Sequence, residues 1–190
     1  MDMVTFARGN RANARIEPRP PRTGPTELKA SFPHVTDTRT RVLVLGSLPG
    51  EFSLARAQYY ANPRNQFWRL MEAVTGADLV GLAYPARLEA LLEAGVGLWD
   101  VVHTAKRTGS LDVDIRDHTP NALDSLAATL PNLRAIAFNG GKASALGRKQ
   151  LGEDAGYARL SLPLSSPAHT MPFATKALEW VKLRVYLEGR

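Results

Sequence analysis

The apolar positions of this chain fall into short runs separated by amphipathic stretches, and their alternation lays out a fold. Val42 to Leu45 are four consecutive apolar residues that stop at Gly46-Ser47-Leu48-Pro49-Gly50, as a buried parallel strand does where it meets a tight loop. Asn62-Pro63 puts a capping residue ahead of proline, and Phe67, Leu70, Met71 and Val74 follow at helical spacing. That spacing predicts a helix from Pro63 that stops at Gly76. Ser31 to Thr40 reads as a lead-in loop, and Pro85 to Glu93 as a helix with Leu88, Leu91 and Leu92 on one face and Gly95 as terminator. Val96 to Val102 is expected as the second strand, His103 to His118 as a long polar connection, and Thr119-Pro120 as the cap of a helix burying Leu123, Leu126, Ala127 and Leu130. Arg134 to Phe138 reads as the third strand, running into Asn139-Gly140-Gly141-Lys142 and a helix to about Leu151. Leu160 to Leu164 is the fourth, followed by a loop, Ser165 to Pro172, and a closing helix, Phe173 to Leu187, with Ala177, Trp180, Val181 and Arg184 around its faces.

Strand and helix alternating in this way predict an α/β fold, a three-layer α/β/α sandwich with a central four-stranded parallel sheet. Ligands of open α/β sheets collect at the C-terminal ends of the strands, so loops 46–61, 139–142 and 164–172 are expected to converge on one cleft. The sixteen residues from Gly46 to Ala61 hold two glycines, a proline and adjacent tyrosines, more than a strand-to-helix connection requires, and chemistry is expected there.

Composition narrows the possibilities. A length of 190 residues with 44% hydrophobic and 22% charged positions suits a soluble globular domain, placed at 27–190. Residues 1–26 carry Arg, Asn, Pro and Gly with little apolar periodicity and are expected to be a disordered basic arm, either a plain unstructured end or one that touches phosphates. Five arginines against Asp2 and Glu17 put about half of the net charge of +6 in that arm, so a nucleic-acid partner is permitted by charge without being required by it. No apolar run reaches the length of a membrane span and no signal-peptide core is present, so no membrane partner is expected and the location is read as cytoplasmic, nucleoid-associated. The absence of cysteine removes disulfides, thiolate zinc sites and Fe–S clusters. His34, His103, His118 and His169 have no pairwise spacing suited to a metal, and Gly46 to Gly50 is neither a P-loop, a dinucleotide fingerprint nor a nucleophile elbow. With no metal and no cofactor expected, the reactions left are those driven by positioning and electrostatics.

Gly46-Ser-Leu-Pro-Gly50, Gln58-Tyr-Tyr-Ala-Asn-Pro-Arg-Asn-Gln-Phe-Trp68, Gly97-Leu-Trp-Asp100, Gly109-Ser-Leu-Asp112 and Ser165-Ser-Pro-Ala168 together resemble the uracil-DNA glycosylase superfamily, and within it the hypoxanthine-DNA glycosylase branch, over about residues 40–187. The resemblance implies a monofunctional DNA glycosylase of base excision repair that acts on deaminated bases, hypoxanthine first and uracil or xanthine after it. Its partner would be DNA, as damaged duplex or single strand, and a monomer is expected. Most branches carry Asp or Asn where this chain has Leu48. In the hypoxanthine branch the resemblance implies an asparagine from the Asn-Pro-x-Asn segment, placed on Asn65 with Asn62 as second choice because Asn62 has the better reading as a helix cap.

The chemistry fits. Such an enzyme takes the base out of the stack, holds it against an aromatic face and stabilises charge as the C–N bond breaks. Tyr60 offers a ring for that purpose or packs on the sheet; the backbone of Gly46, Ser47, Leu48, Pro49 and Gly50 can face the base, although a simple turn explains the glycines as well. Asn139 can bind the Watson–Crick edge or a phosphate, and Lys142 a phosphate, while a strand-to-helix turn with a solvated lysine remains open. The loop 165–172 resembles the segment that other members press into the minor groove, with Ser165, Ser166 and Pro167 against DNA and His169 or Met171 as a wedge. Gly109 to Asp112 is given no catalytic role. No lysine lies in the first motif, so a Schiff-base lyase step is not indicated. The rival readings are a nucleic-acid-binding protein that lost its chemistry at Leu48, and a nucleoside or nucleotide hydrolase.

Overall fold

The computed structural model describes residues 27–151 and 156–188, and the expected arm at 1–26 lies outside them. Four strands, β2 (Val42–Gly46), β3 (Val96–Asp100), β6 (Ala135–Asn139) and β7 (Ala158–Leu162), form one parallel sheet in the order β3-β2-β6-β7. Because side chains alternate across a strand, each face of this sheet builds its own core. Val42, Val44, Ala135 and Ala137 face one layer, made by α2 (Phe67–Thr75), α3 (Tyr84–Glu93) and α6 (Phe173–Trp180), which bury Phe67, Leu70, Met71, Leu91 and Trp180. Leu43, Leu45, Ile136 and Phe138 face the other, made by α4 (Leu123–Ala128) and α5 (Gly141–Gln150), with Leu123, Leu126 and Ala143. Full burial of a Leu, Ile or Phe is worth about 1.5–3 kcal/mol relative to water, so two dry layers hold the sheet rigid at its ends. This is the three-layer α/β/α sandwich with a four-stranded parallel sheet that the hydrophobic pattern predicts. No helix among the described residues is long and apolar enough to cross a membrane.

Several local expectations are corrected. The helix expected from Pro63 begins at Phe67, because the two asparagines before it form turns of their own: Asn62 Oδ1 accepts the Arg64 N–H at 2.9 Å and Asn65 Oδ1 the Phe67 N–H at 3.0 Å. The loop 46–61 contains a short helix, α1 (Glu51–Arg56), whose first N–H is capped by Ser110 Oγ at 2.9 Å. The strand expected to reach Val102 ends at Asp100, and the supposed polar connection 103–118 is half strand. There β1 (Glu27–Ala30), β4 (Val102–Arg107) and β5 (Arg116–Pro120) make a second, antiparallel sheet with β4 in the middle. Thr119-Pro120 accordingly ends β5 rather than capping a helix. The strand β7 starts two residues before its expected position, and the closing helix is interrupted by a 3-10 turn at Val181–Leu183 before α7 (Arg184–Leu187).

Candidate active site

The C-terminal ends of β2, β3 and β6 open into one cavity, lined by Gly46 to Gly50, Tyr60, Asn62, Asn65, Asp100, Ser110, Leu111, Asp112, Asn139 and Leu164 to Ala168, among others. The three loops expected to converge do so. All seven residues read as base-binding line it, as do both candidate catalytic asparagines and Ser165, Ser166 and Pro167. Lys142, His169 and Met171 stand outside the lining.

Gly46 is fixed by what lies beside it. A Cβ at that position would meet Asp100 Oδ1 at 2.5 Å and the Tyr60 hydroxyl at 3.4 Å, so only glycine lets the carboxyl and the phenol close over the end of β2. The following loop is held from the second sheet. Arg107, fully buried on β4, donates from Nη1 to the Leu48 carbonyl at 3.2 Å and from Nη2 to the Pro49 carbonyl. Leu48 itself is buried in the core beneath the loop, as suits an apolar side chain at that position. Ser47 Oγ donates to Asp112 Oδ1 at 2.5 Å, which ties the loop to the 3-10 turn at Asp112–Asp114.

Tyr60 adopts φ of +53°, the left-handed region that costs a side-chain-bearing residue energy and concentrates at functional sites. Its ring stacks on Phe67 with centroids 3.7 Å apart and planes within 11°, which makes it a fixed wall rather than a free side chain. Burial, and then the nearby Asp100, push its phenol above the usual tyrosine range, so it remains a neutral donor.

Asn139 and Ser165 carry each other. Asn139 Nδ2 donates to Ser165 Oγ at 2.9 Å and to the Tyr60 hydroxyl at 3.3 Å, and Asn139 Oδ1 accepts the Ser165 N–H at 2.8 Å. Both residues are buried, and the Ser165 carbonyl accepts the Gln66 N–H at 3.1 Å. The pair therefore joins β6, the loop after β7 and the start of α2, and its polar atoms bond within the protein while both residues line the cavity. The same loop is braced below by Lys176, buried on α6, whose Nζ donates to the His169 carbonyl at 2.9 Å. Gly140, at φ of +99°, turns the chain from β6 into α5; a Cβ there would strike Leu164 at 2.8 Å.

Sequence reasoning missed the carboxylates. Asp100 is 4% exposed and Asp112 lies across from it. Burial raises both, Asp112 raises Asp100 further, and Arg107 opposes the rise in each. Asp100 is pushed up to about 7. On Asp112 the Ser47 hydroxyl is the largest restraint, followed by Arg107 and Lys142. A lone acidic residue closing an apolar strand at the ligand-binding edge of the sheet was the available signal. A neighbouring groove shares Tyr59, Tyr60, Asn62 and Asn65 and adds Arg56, Arg69 and Arg87, a cationic strip next to the cavity that no motif announced. Among the described residues no cluster of three or more His, Asp or Glu is placed to hold a metal.

A cavity at the strand ends, built from a glycine-bounded loop, an aromatic wall and polar side chains on a parallel α/β sandwich, lies where open α/β sheets bind ligands. The chain belongs to the uracil DNA glycosylase superfamily, whose family model matches residues 32–188. It is 46% identical over 114 residues to a hypoxanthine DNA glycosylase of Methanosarcina barkeri (strain Fusaro / DSM 804), spanning 60% of this chain and 72% of that protein. It is 40% identical over 153 residues to a hypoxanthine DNA glycosylase of Methanosarcina acetivorans, spanning 80% of this chain and 96% of that protein. The fold matches the solution NMR structure of a Methanosarcina acetivorans protein provisionally named a uracil DNA glycosylase, with a TM-score of 0.77 and 38% identity over 86% of this chain and all of that one.

Proposed function

We propose that this chain is a monofunctional DNA glycosylase that releases deaminated bases, hypoxanthine first, by hydrolysis of the N-glycosidic bond. The observation that carries the reading is the cavity at the strand ends, where Tyr60, the Gly46–Gly50 loop and the two asparagines of Asn62-Pro63-Arg64-Asn65 meet in a chain 40–46% identical to hypoxanthine DNA glycosylases. A flipped base enters against the Tyr60 ring, whose stacking is worth roughly 1–3 kcal/mol. The carboxamide of Asn65, or of Asn62, orients water toward the sugar C1′, since Leu48 is packed into the core and has no polar atom to offer. The two asparagines are harder to rank than their spacing suggests, because each also closes a backbone turn. Lys142, the groove arginines and the exposed part of loop 165–172 face the phosphates, with His169 and Met171 as the wedge.

The test is a panel of duplexes holding inosine, uracil, xanthine or an undamaged base, incubated with the protein and cleaved by alkali. Alkali-labile sites at inosine support the reading. Cleavage of none of the deaminated bases, with retained DNA binding, favours the non-catalytic reading; hydrolysis of free nucleosides only favours the nucleoside hydrolase.

A further inference from the structure

One buried titratable group in the cavity has no part in the steps above. Asp100 ends β3 at the cavity floor, and its Oδ2 is buried with no hydrogen-bond partner. Its Oδ1 occupies the space that Gly46 leaves by having no side chain. The backbone on either side is pinned by Asn121, whose Nδ2 donates to the carbonyls of Asp100 at 2.9 Å and Val102 at 3.2 Å. The charged and titratable groups that face the carboxyl are Tyr59 and Tyr60 from the loop before α2, Asp112 from the 3-10 turn and Arg107 from β4. Arg107 aims its two terminal nitrogens at the Leu48 and Pro49 carbonyls, so it is a distant counter-charge rather than a salt-bridge partner.

Asp100 lines the cavity with a buried carboxyl oxygen that makes no well-formed hydrogen bond, its polar neighbour being the Tyr59 hydroxyl, and so has an unfilled capacity. Desolvation and the like charge of Asp112 favour its neutral form, and a neutral carboxylic acid is a donor.

We propose that Asp100 is the general acid of base release, donating its proton to N7 of the leaving purine. This rests on the glycosylase reading above and deepens it. The C1′–N9 bond breaks with both electrons passing to the base. The Asp100 O–H bond breaks as its proton moves to N7, so hypoxanthine departs neutral. The water oxygen forms the new bond to C1′, and the proton that water loses returns through solvent to the Asp100 carboxylate. Water is the only co-reactant. A pyrimidine has no N7, so this device favours purines and gives the cavity a basis for preferring hypoxanthine over uracil.

The experiment measures single-turnover base release by the full chain and by Asp100→Asn between about pH 5 and 9. Two duplexes are used, one with inosine and one with 7-deaza-2′-deoxyinosine, in which carbon replaces N7. On inosine the unaltered protein should slow about tenfold per pH unit above about pH 7, whereas Asp100→Asn should be flat with pH and slower by about 10²-fold at pH 6, within the range of general acid catalysis. The 7-deaza substrate should be released slowly and without that pH dependence by both proteins, and Asp100→Asn should bind abasic-site duplex as the unaltered chain does. A rate within threefold of the unaltered chain, an unchanged descending profile in Asp100→Asn, or full activity on the 7-deaza substrate would overturn the acid role. The 7-deaza comparison stands even if the variant does not fold. If the unaltered chain releases no base from inosine DNA, the glycosylase reading falls and the acid role falls with it.

Discussion

Replacing Asp100 with asparagine should stabilise this protein above neutral pH and leave it nearly unchanged in acid. In the unfolded chain the carboxyl loses its proton near pH 4, whereas in the folded protein burial and Asp112 hold the proton until about pH 7. Across that window the native state binds one proton more than the unfolded state, so stability falls with rising pH at roughly 1.4 kcal/mol per unit. Over roughly three units the accumulated penalty is about 4 kcal/mol, present in full above pH 7 and absent below pH 4. Asparagine matches the shape of aspartate, carries no charge and removes the penalty. Urea unfolding of both proteins at pH 4, 5, 6, 7 and 8 gives the difference directly, and subtracting one from the other cancels the titration of carboxylates that Asp100 does not influence. The expected curve is near zero at pH 4 and rises to about 4 kcal/mol in favour of Asp100→Asn at pH 8. A difference that stays flat with pH, or that favours the unaltered chain at pH 8, means that the carboxyl is charged and satisfied in the folded state. A group that weakens the fold above neutral pH and lines a cavity at the strand ends is what the trade-off between stability and activity leads one to expect of a functional site.

Other substitutions read other parts of the site. Gly46→Ala should displace Asp100 or Tyr60, since the added methyl lies 2.5 Å from the carboxyl, and should reduce inosine cleavage by 10-fold or more, on the order of a misplaced catalytic group, as measured in single turnover. Arg107→Met should release the Leu48 and Pro49 carbonyls and cost roughly 1–3 kcal/mol per group left unsatisfied, read as a lower unfolding temperature together with weaker binding of abasic-site DNA. Asn65→Ala and Asn62→Ala should each cost about 0.5–2 kcal/mol through the lost turn bond, and the one that orients water should also slow base release by about 10²-fold. Lys142→Ala and Arg69→Ala should each weaken intact and damaged duplex alike and lower the salt slope by roughly one phosphate's share in a titration of affinity against salt.

The parallel sheet was legible because its strands are buried on both faces. Val42 to Leu45 and Ala135 to Phe138 are uninterrupted apolar runs, and the glycines at 46, 76, 95 and 140 end the elements where the chain turns. The second sheet was hidden for the opposite reason. In β5 every residue is exposed, and in β4 the buried Val102, Ala105 and Arg107 alternate with polar neighbours and include a charged side chain, so the stretch carries no apolar signal. That sheet supplies Arg107, and the turn between its strands supplies Asp112; no local pattern could place them beside residues some 60 positions earlier. The cavity wall was legible at Gly46 to Gly50 and Tyr60. The hydrogen bonds between Asn139 and Ser165 were not, because which side chain an amide meets is decided by tertiary packing.

The most direct test of the site's chemistry follows the fate of the base. Inosine-containing duplex is incubated with the full chain in EDTA, and the products are separated before any alkali is added. Free hypoxanthine and an intact strand bearing an abasic site, formed in equal amounts at a rate unchanged by EDTA, is the predicted result. A cut strand that still holds inosine, or activity that appears only when a divalent ion is restored, would contradict it.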